Sequence, residues 1–303
     1  MRKFAGIFCA SFLLAILVIG LASPVQAQQT SAAISSDPAA DSSNPASMQT
    51  MQLESHGALL NAIVYVAAGA GPHPVVILLH GFPGNEKNLD LAQAIRRAGW
   101  DVLYFDYRGS WGSPGDFSFT HCIEDTQAAI AYVRDPINSK KIRADATRVV
   151  LIGHSMGGFM ANFAGAQDAK VEAVGMISAA NLGGMESWAN ESGHDATLEY
   201  VAASLKAEGM APLAGCTPES LAKEIEAHFK EWNFVDSAAK LSTRPVLVVT
   251  SDDGLAGEND AFVKALKKTG STKLTAVHMP TDHSYSDHRI ALETAVLQWL
   301  AAM

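Results

Sequence analysis

One short run carries the clearest chemical signal in this 303-residue chain: Gly153-His154-Ser155-Met156-Gly157-Gly158. A serine hydroxyl is a weak nucleophile until the backbone presents it and a neighbouring base takes its proton. Residues 149–152 read as a buried strand and those after Ser155 as a helix, so the serine falls at a strand-to-helix bend. Such a bend lifts Oγ off the sheet, holds the backbone in a strained conformation and places it at the positive end of a helix. Gly153 and Gly157 suit that bend, because side chains there would collide where the helix folds back on the strand. The same five-residue pattern arises by chance in a chain with 24 glycines. Its strand–turn–helix setting is what makes Ser155 a nucleophile candidate.

Other residues could complete the chemistry. His80-Gly81-Phe82-Pro83-Gly84 follows the apolar run 75–79, and Asp252 and Asp253 follow the run 246–250. Late histidines stand at 278, 283 and 288. Together with Phe105-Asp106-Tyr107-Arg108-Gly109-Ser110-Trp111-Gly112-Ser113, these motifs make residues 50–303 resemble the α/β-hydrolase superfamily, in its esterase, dienelactone-hydrolase-like and prolyl-oligopeptidase-like branches.

The resemblance implies an eight-stranded, mostly parallel sheet and a triad in the chain order Ser, acid, His. Asp253 is the expected acid, a few residues past the last buried valine with Gly254 to turn the chain. Asp252 competes, since loop register is not set by sequence. His283 is the expected base, in the loop between the last strand and the last helix, with His288 second. Two N–H donors should stabilise the oxyanion of a tetrahedral intermediate. Met156 supplies the one after the nucleophile and Phe82 the natural second, because Pro83 has no N–H. His80 is expected to shape that loop by hydrogen bonding, and His154 to help shape the pocket.

Positioning these groups requires strands alternating with helices. A hairpin over 51–55 and 60–67, turning at His56-Gly57, precedes continuous apolar runs at 75–79, 102–105, 149–152, 173–177, 246–250 and 274–278. Helical stretches are expected at 86–98, 122–134, 156–166, 257–268 and 288–302. This alternation argues for a parallel sheet covered by helices on both faces, with the hairpin as antiparallel edge. The interval 181–241 is too long for a usual crossover and holds amphipathic stretches at 198–207 and 219–232. It is expected to form a small helical cap, the alternative being one crossover helix with a long loop. Trp111, Phe117, Phe119, Trp188, Phe229 and Trp232 offer aromatic surface there and in the loop after Asp106.

At the N-terminus, Arg2 and Lys3 precede an apolar run over 4–22 and the small residues Val25-Gln26-Ala27. That order predicts a signal peptide of residues 1–27 and an exported protein, periplasmic or secreted; an uncleaved N-terminal membrane anchor is the alternative. Residues 28–50 read as a flexible linker. The remaining cysteines, 122 and 216, could pair in an oxidising compartment, and sequence leaves this open. A net charge of −9 without any basic run disfavours nucleic acid as a partner. No metal-ligand spacing or phosphate-binding glycine loop occurs, so no cofactor is implied. The residues point to a small-molecule ester as substrate, with a peptidase or amidase as alternative and a non-catalytic binding protein last.

Overall fold

The computed structural model describes residues 32–185 and 194–303. The expected leader and Trp188 therefore lie outside the described residues. Among the described residues, eight strands form one sheet. They are β1 (Ser47–Ser55), β2 (Ala58–Val66), β3 (His73–Leu79), β4 (Asp101–Phe105), β5 (Ala144–His154), β6 (Ala173–Ile177), β7 (Val246–Thr250) and β8 (Leu274–His278). Their order is β1-β2-β4-β3-β5-β6-β7-β8. β1 pairs antiparallel with β2, and β2 with β4; the remaining pairings are parallel. The β1–β2 turn is built on His56 (φ 48°) and Gly57 (φ 82°), two left-handed residues whose twist matches that of the strands they join.

Among the described residues, the helices of six or more residues, in chain order, are α1 (Leu89–Arg97), α2 (Phe119–Arg134), α3 (Pro136–Lys141), α4 (Met156–Gln167), α5 (His194–Ala207), α6 (Pro218–His228), α7 (Ala256–Lys268) and α8 (Arg289–Ala301), with a four-residue helix at Ala238–Leu241. β3 shows why its sequence is apolar without a break. Ile77 and Leu79 join the core shared with Phe159 of α4 and Phe262 of α7. Val76 and Leu78 join the opposite core, with Leu91 of α1 and Leu292 of α8. Each such side chain, fully removed from water, contributes about 1.5–3 kcal/mol.

The structure differs from expectation at both ends of the sheet. β8 is an apolar run but not a doubly buried strand: Thr275, Ala276 and His278 are exposed, because β8 is the last strand of the sheet. β1 starts at Ser47, inside the segment read as linker. Part of that segment is also docked, since Ala33 packs with Ala94 and Leu297 and its carbonyl accepts from Arg97 Nε. The polar average of 28–50 hides those few apolar contacts.

The interval 181–241 holds two full helices, α5 and α6, between 3-10 turns at Leu182–Met185 and Phe234–Ser237. α5 packs on α6. α6 in turn grips the sheet-covering layer: the Glu224 carboxylate accepts from the backbone N–H groups of Phe119 (2.9 Å) and Thr120 (2.8 Å). These donors lie in the first turn of α2, where the helix itself supplies no acceptor. Cys122 and Cys216 are both free thiols.

Candidate active site

Ser155 sits between the end of β5 and the start of α4 with φ 58° and ψ −123°. A non-glycine residue in that region carries about 1–3 kcal/mol of strain, which the surroundings must hold. They do so through backbone bonds: Ser155 N–H donates to Ile177 O (2.9 Å), and Ser155 O accepts from Ala180 N–H (3.0 Å). The two flanking glycines are required by closeness. A Cβ on Gly153 would stand 1.9 Å from Gly157 O, and one on Gly157 would stand 2.1 Å from Leu79 O. Met156 is the first residue of α4, so its N–H has no intrahelical acceptor and is free to point at a ligand.

The loop after β3 passes directly over the serine. A Cβ on Gly81 would come within 2.8 Å of Ser155 Cβ, so only glycine lets the loop approach this closely. Its shape is braced from two sides. His80 is buried and its Nδ1–H donates to Gly81 O (2.7 Å), while Trp111 Nε1–H donates to Pro83 O (2.8 Å). Burial pushes the His80 ring down to about 4, against the pull of Asp106, so it stays neutral at pH 7. Phe82 rests its ring between Phe117 (5.8 Å) and Phe119 (6.0 Å).

The residues expected as acid and base follow the ends of β7 and β8. His283 Nδ1 lies 2.7 Å from Asp253 Oδ2, with the Asp253 side chain only 3% exposed. Asp252, its competitor, is 65% exposed and faces His278 instead (3.2 Å). His288 stands at the N-cap position of α8 without a side-chain capping bond, and its ring pairs with Asp287 (2.8 Å). Burial alone would raise the Asp253 carboxyl. The His283 hydrogen bond, the Leu255 amide and the hydroxyls of Ser178 and Ser251 outweigh it and hold the group well below the usual carboxylate range.

Those hydroxyls form a buried cluster that the motif reading did not contain. Ser178 Oγ is 3.0 Å from Ser251 Oγ and 2.8 Å from Tyr285 OH. Their signal is topological. β6 and β7 are adjacent and in register at Ile177 and Val249, so the residues just past each strand meet beneath the acid. Tyr285, two residues after His283, is fully buried and ties the loop of the base to this cluster.

Ser155, Met156, Phe82, Asp253 and His283 all line one cavity of about 400 Å³. Its far wall is apolar and comes largely from the 181–241 interval: Leu182, Val201, Leu205 and Ile225, with Ser204 and Glu208 as further polar groups. Of the described aromatics expected to offer substrate surface, Phe119 lines this cavity. Phe117 and Trp232 are buried in the core instead, Trp232 against Phe119, Phe159 and His228. Large rings contribute most where they can be covered on all sides.

Comparison with known proteins places this geometry. The chain is 36% identical over 105 residues to an sn-1-specific diacylglycerol lipase of Xenopus tropicalis, a stretch covering 34% of this chain and 30% of that one. The chain spans less than half the length of the curated relatives it matches. Among solved structures, the esterase Est1E of Butyrivibrio proteoclasticus bound to ferulic acid superposes with a TM-score of 0.61 at 19% identity, covering 82% of this chain and 97% of that one. The acylaminoacyl peptidase of Pyrococcus horikoshii gives 0.60 at 17% identity, covering 84% and 41%. At such identities the likeness is one of fold. The profile described as "Alpha/beta hydrolase family" matches residues 76–294, well over half of the chain, and the protein therefore belongs to the α/β-hydrolase family.

Proposed function

We propose that the protein is an exported serine hydrolase that cleaves a carboxylic ester through an acyl-enzyme on Ser155. The observation that carries this reading is the one cavity lined together by the strained serine, the Asp253–His283 pair, Phe82 and Met156. In this mechanism Ser155 Oγ attacks the ester carbonyl while His283 Nε2 takes its proton. Asp253 holds the opposite ring nitrogen and steadies the imidazolium that forms. The N–H groups of Phe82 and Met156 receive the negative charge developing on the carbonyl oxygen. His283 then protonates the departing alcohol, and a water attacks the acyl-enzyme by the same route in reverse order. The acyl group lies against Val201, Leu205 and Ile225, a wall suited to an apolar chain. Export rests on the leader-like sequence of residues 1–27; no helix among the described residues is long and apolar enough to cross a membrane.

The test is turnover of p-nitrophenyl esters of increasing acyl length beside aminoacyl-anilides, with Ser155→Ala as control. Ester turnover reduced at least about 10⁴-fold by the substitution is the expected result. Anilide turnover exceeding ester turnover would move the protein to the peptidases. Ester turnover surviving Ser155→Ala would remove the mechanism.

A further inference from the structure

His154 stands immediately before the nucleophile, yet its side chain serves the opposite end of the site. Its Nε2 lies 2.7 Å from the backbone carbonyl oxygen of His283, 129 residues further along the chain. Because that partner is a carbonyl, Nε2 is the nitrogen that carries the proton. The two rings also touch, with centroids 4.6 Å apart and planes tilted by 41°. β5, which ends in His154, and β8, which leads to His283, are not neighbours: β6 and β7 lie between them. A single donor thus spans two intervening strands and joins the strand of the nucleophile to the loop of the base.

We propose that His154 is a positioning residue: through its bond to the His283 carbonyl it sets the place of the base relative to Ser155 and Asp253. This rests on the reading of His283 as the base. The chemistry favours a neutral ring for the task. His154 is buried, and its Nδ1 has no hydrogen-bond partner, which suits a bare acceptor nitrogen and would leave a second N–H stranded. Burial first, and then the charge of His283, push the ring down to about 3; Arg289 acts in the same direction and Asp253 against it. Those are the charged groups facing it, and Tyr285 presents its ring at 6.4 Å. The His154 ring therefore adds no positive charge beside the imidazolium when His283 takes the serine proton. The neutral ring instead offers it an aromatic neighbour.

Two variants separate the donor from the ring: His154→Phe keeps a ring without the N–H, and His154→Gln keeps an amide donor at similar reach without the ring. With the full-length protein and the best p-nitrophenyl ester, H154F is expected to lower kcat about tenfold or more, the order of one lost hydrogen bond, with KM within about twofold. H154Q is expected to retain kcat within about threefold. Wild-type kcat in H154F would overturn the proposal, as would equal loss of kcat in both variants. If H154F does not fold, H154Q decides alone: kcat within threefold supports the role of the donor, and a tenfold loss overturns it. Ser155→Ala run beside them keeps the two questions apart. An inactive S155A with an unaffected H154F removes only the role of His154, whereas an active S155A removes the base itself.

Discussion

The Asp253 carboxylate is held well below its usual range against the upward push of burial, and the proposed acid–base pair depends on that. Four donors, from His283, Leu255, Ser178 and Ser251, face one small carboxylate, with Tyr285 behind Ser178. A group whose folded value is depressed stabilises the fold above its unfolded value, near 3.8 here, and that contribution is lost as the pH falls below it. Asp253→Asn should leave the geometry in place while removing the acceptor that fixes the His283 tautomer, and kcat should fall by about 10³–10⁴-fold. Asp252→Asn alters an exposed pair with His278 and should stay within about threefold of wild type. Steady-state kinetics of the two variants side by side reads the difference. A larger loss in D252N would assign the acid to the wrong residue. The serine candidate was legible from its motif in a strand–turn–helix setting, whereas Asp253 was preferred with its neighbour Asp252 still in competition. That choice turns on which side chain lies under the sheet edge, a matter of loop register rather than composition.

At the scale of elements, α6 and the first turn of α2 form one joint between the 181–241 interval and the body of the protein, beside the bridge of Leu213 to Ser110. Glu224 satisfies two orphan N–H groups of α2, and one of them belongs to Phe119, which lines the cavity. Glu224→Ala should therefore cost stability on the scale of a lost helix cap, about 1–2 kcal/mol, and raise KM more than it lowers kcat. Thermal unfolding and ester kinetics on one preparation check both; an unchanged KM would mean that this joint does not set the cavity wall. The strands and helices themselves were readable because period and burial agree: β3, β4, β6 and β7 are continuous apolar runs buried on both faces. β8 misled for the same reason, since Leu274 to His278 has the composition of an inner strand but the position of an edge. The contacts of Glu224 with residues 105 and 104 positions away had no local signal at all.

At the scale of the whole molecule, the sheet is what gathers the site. Phe82, Ser155, Ser178, Asp253 and His283 each follow the C-terminal end of a different parallel strand: β3, β5, β6, β7 and β8. One edge of the sheet thus collects groups spread over some two hundred residues, and α5 and α6 close a cavity above them. The most direct test of this account is the mass of the intact protein, with peptide mapping, after exposure to a small fluorophosphonate. One phosphonyl group on Ser155, absent from Ser155→Ala and formed far more slowly in His283→Ala, is the predicted result. An unlabelled Ser155, or a label carried by another residue, would contradict it.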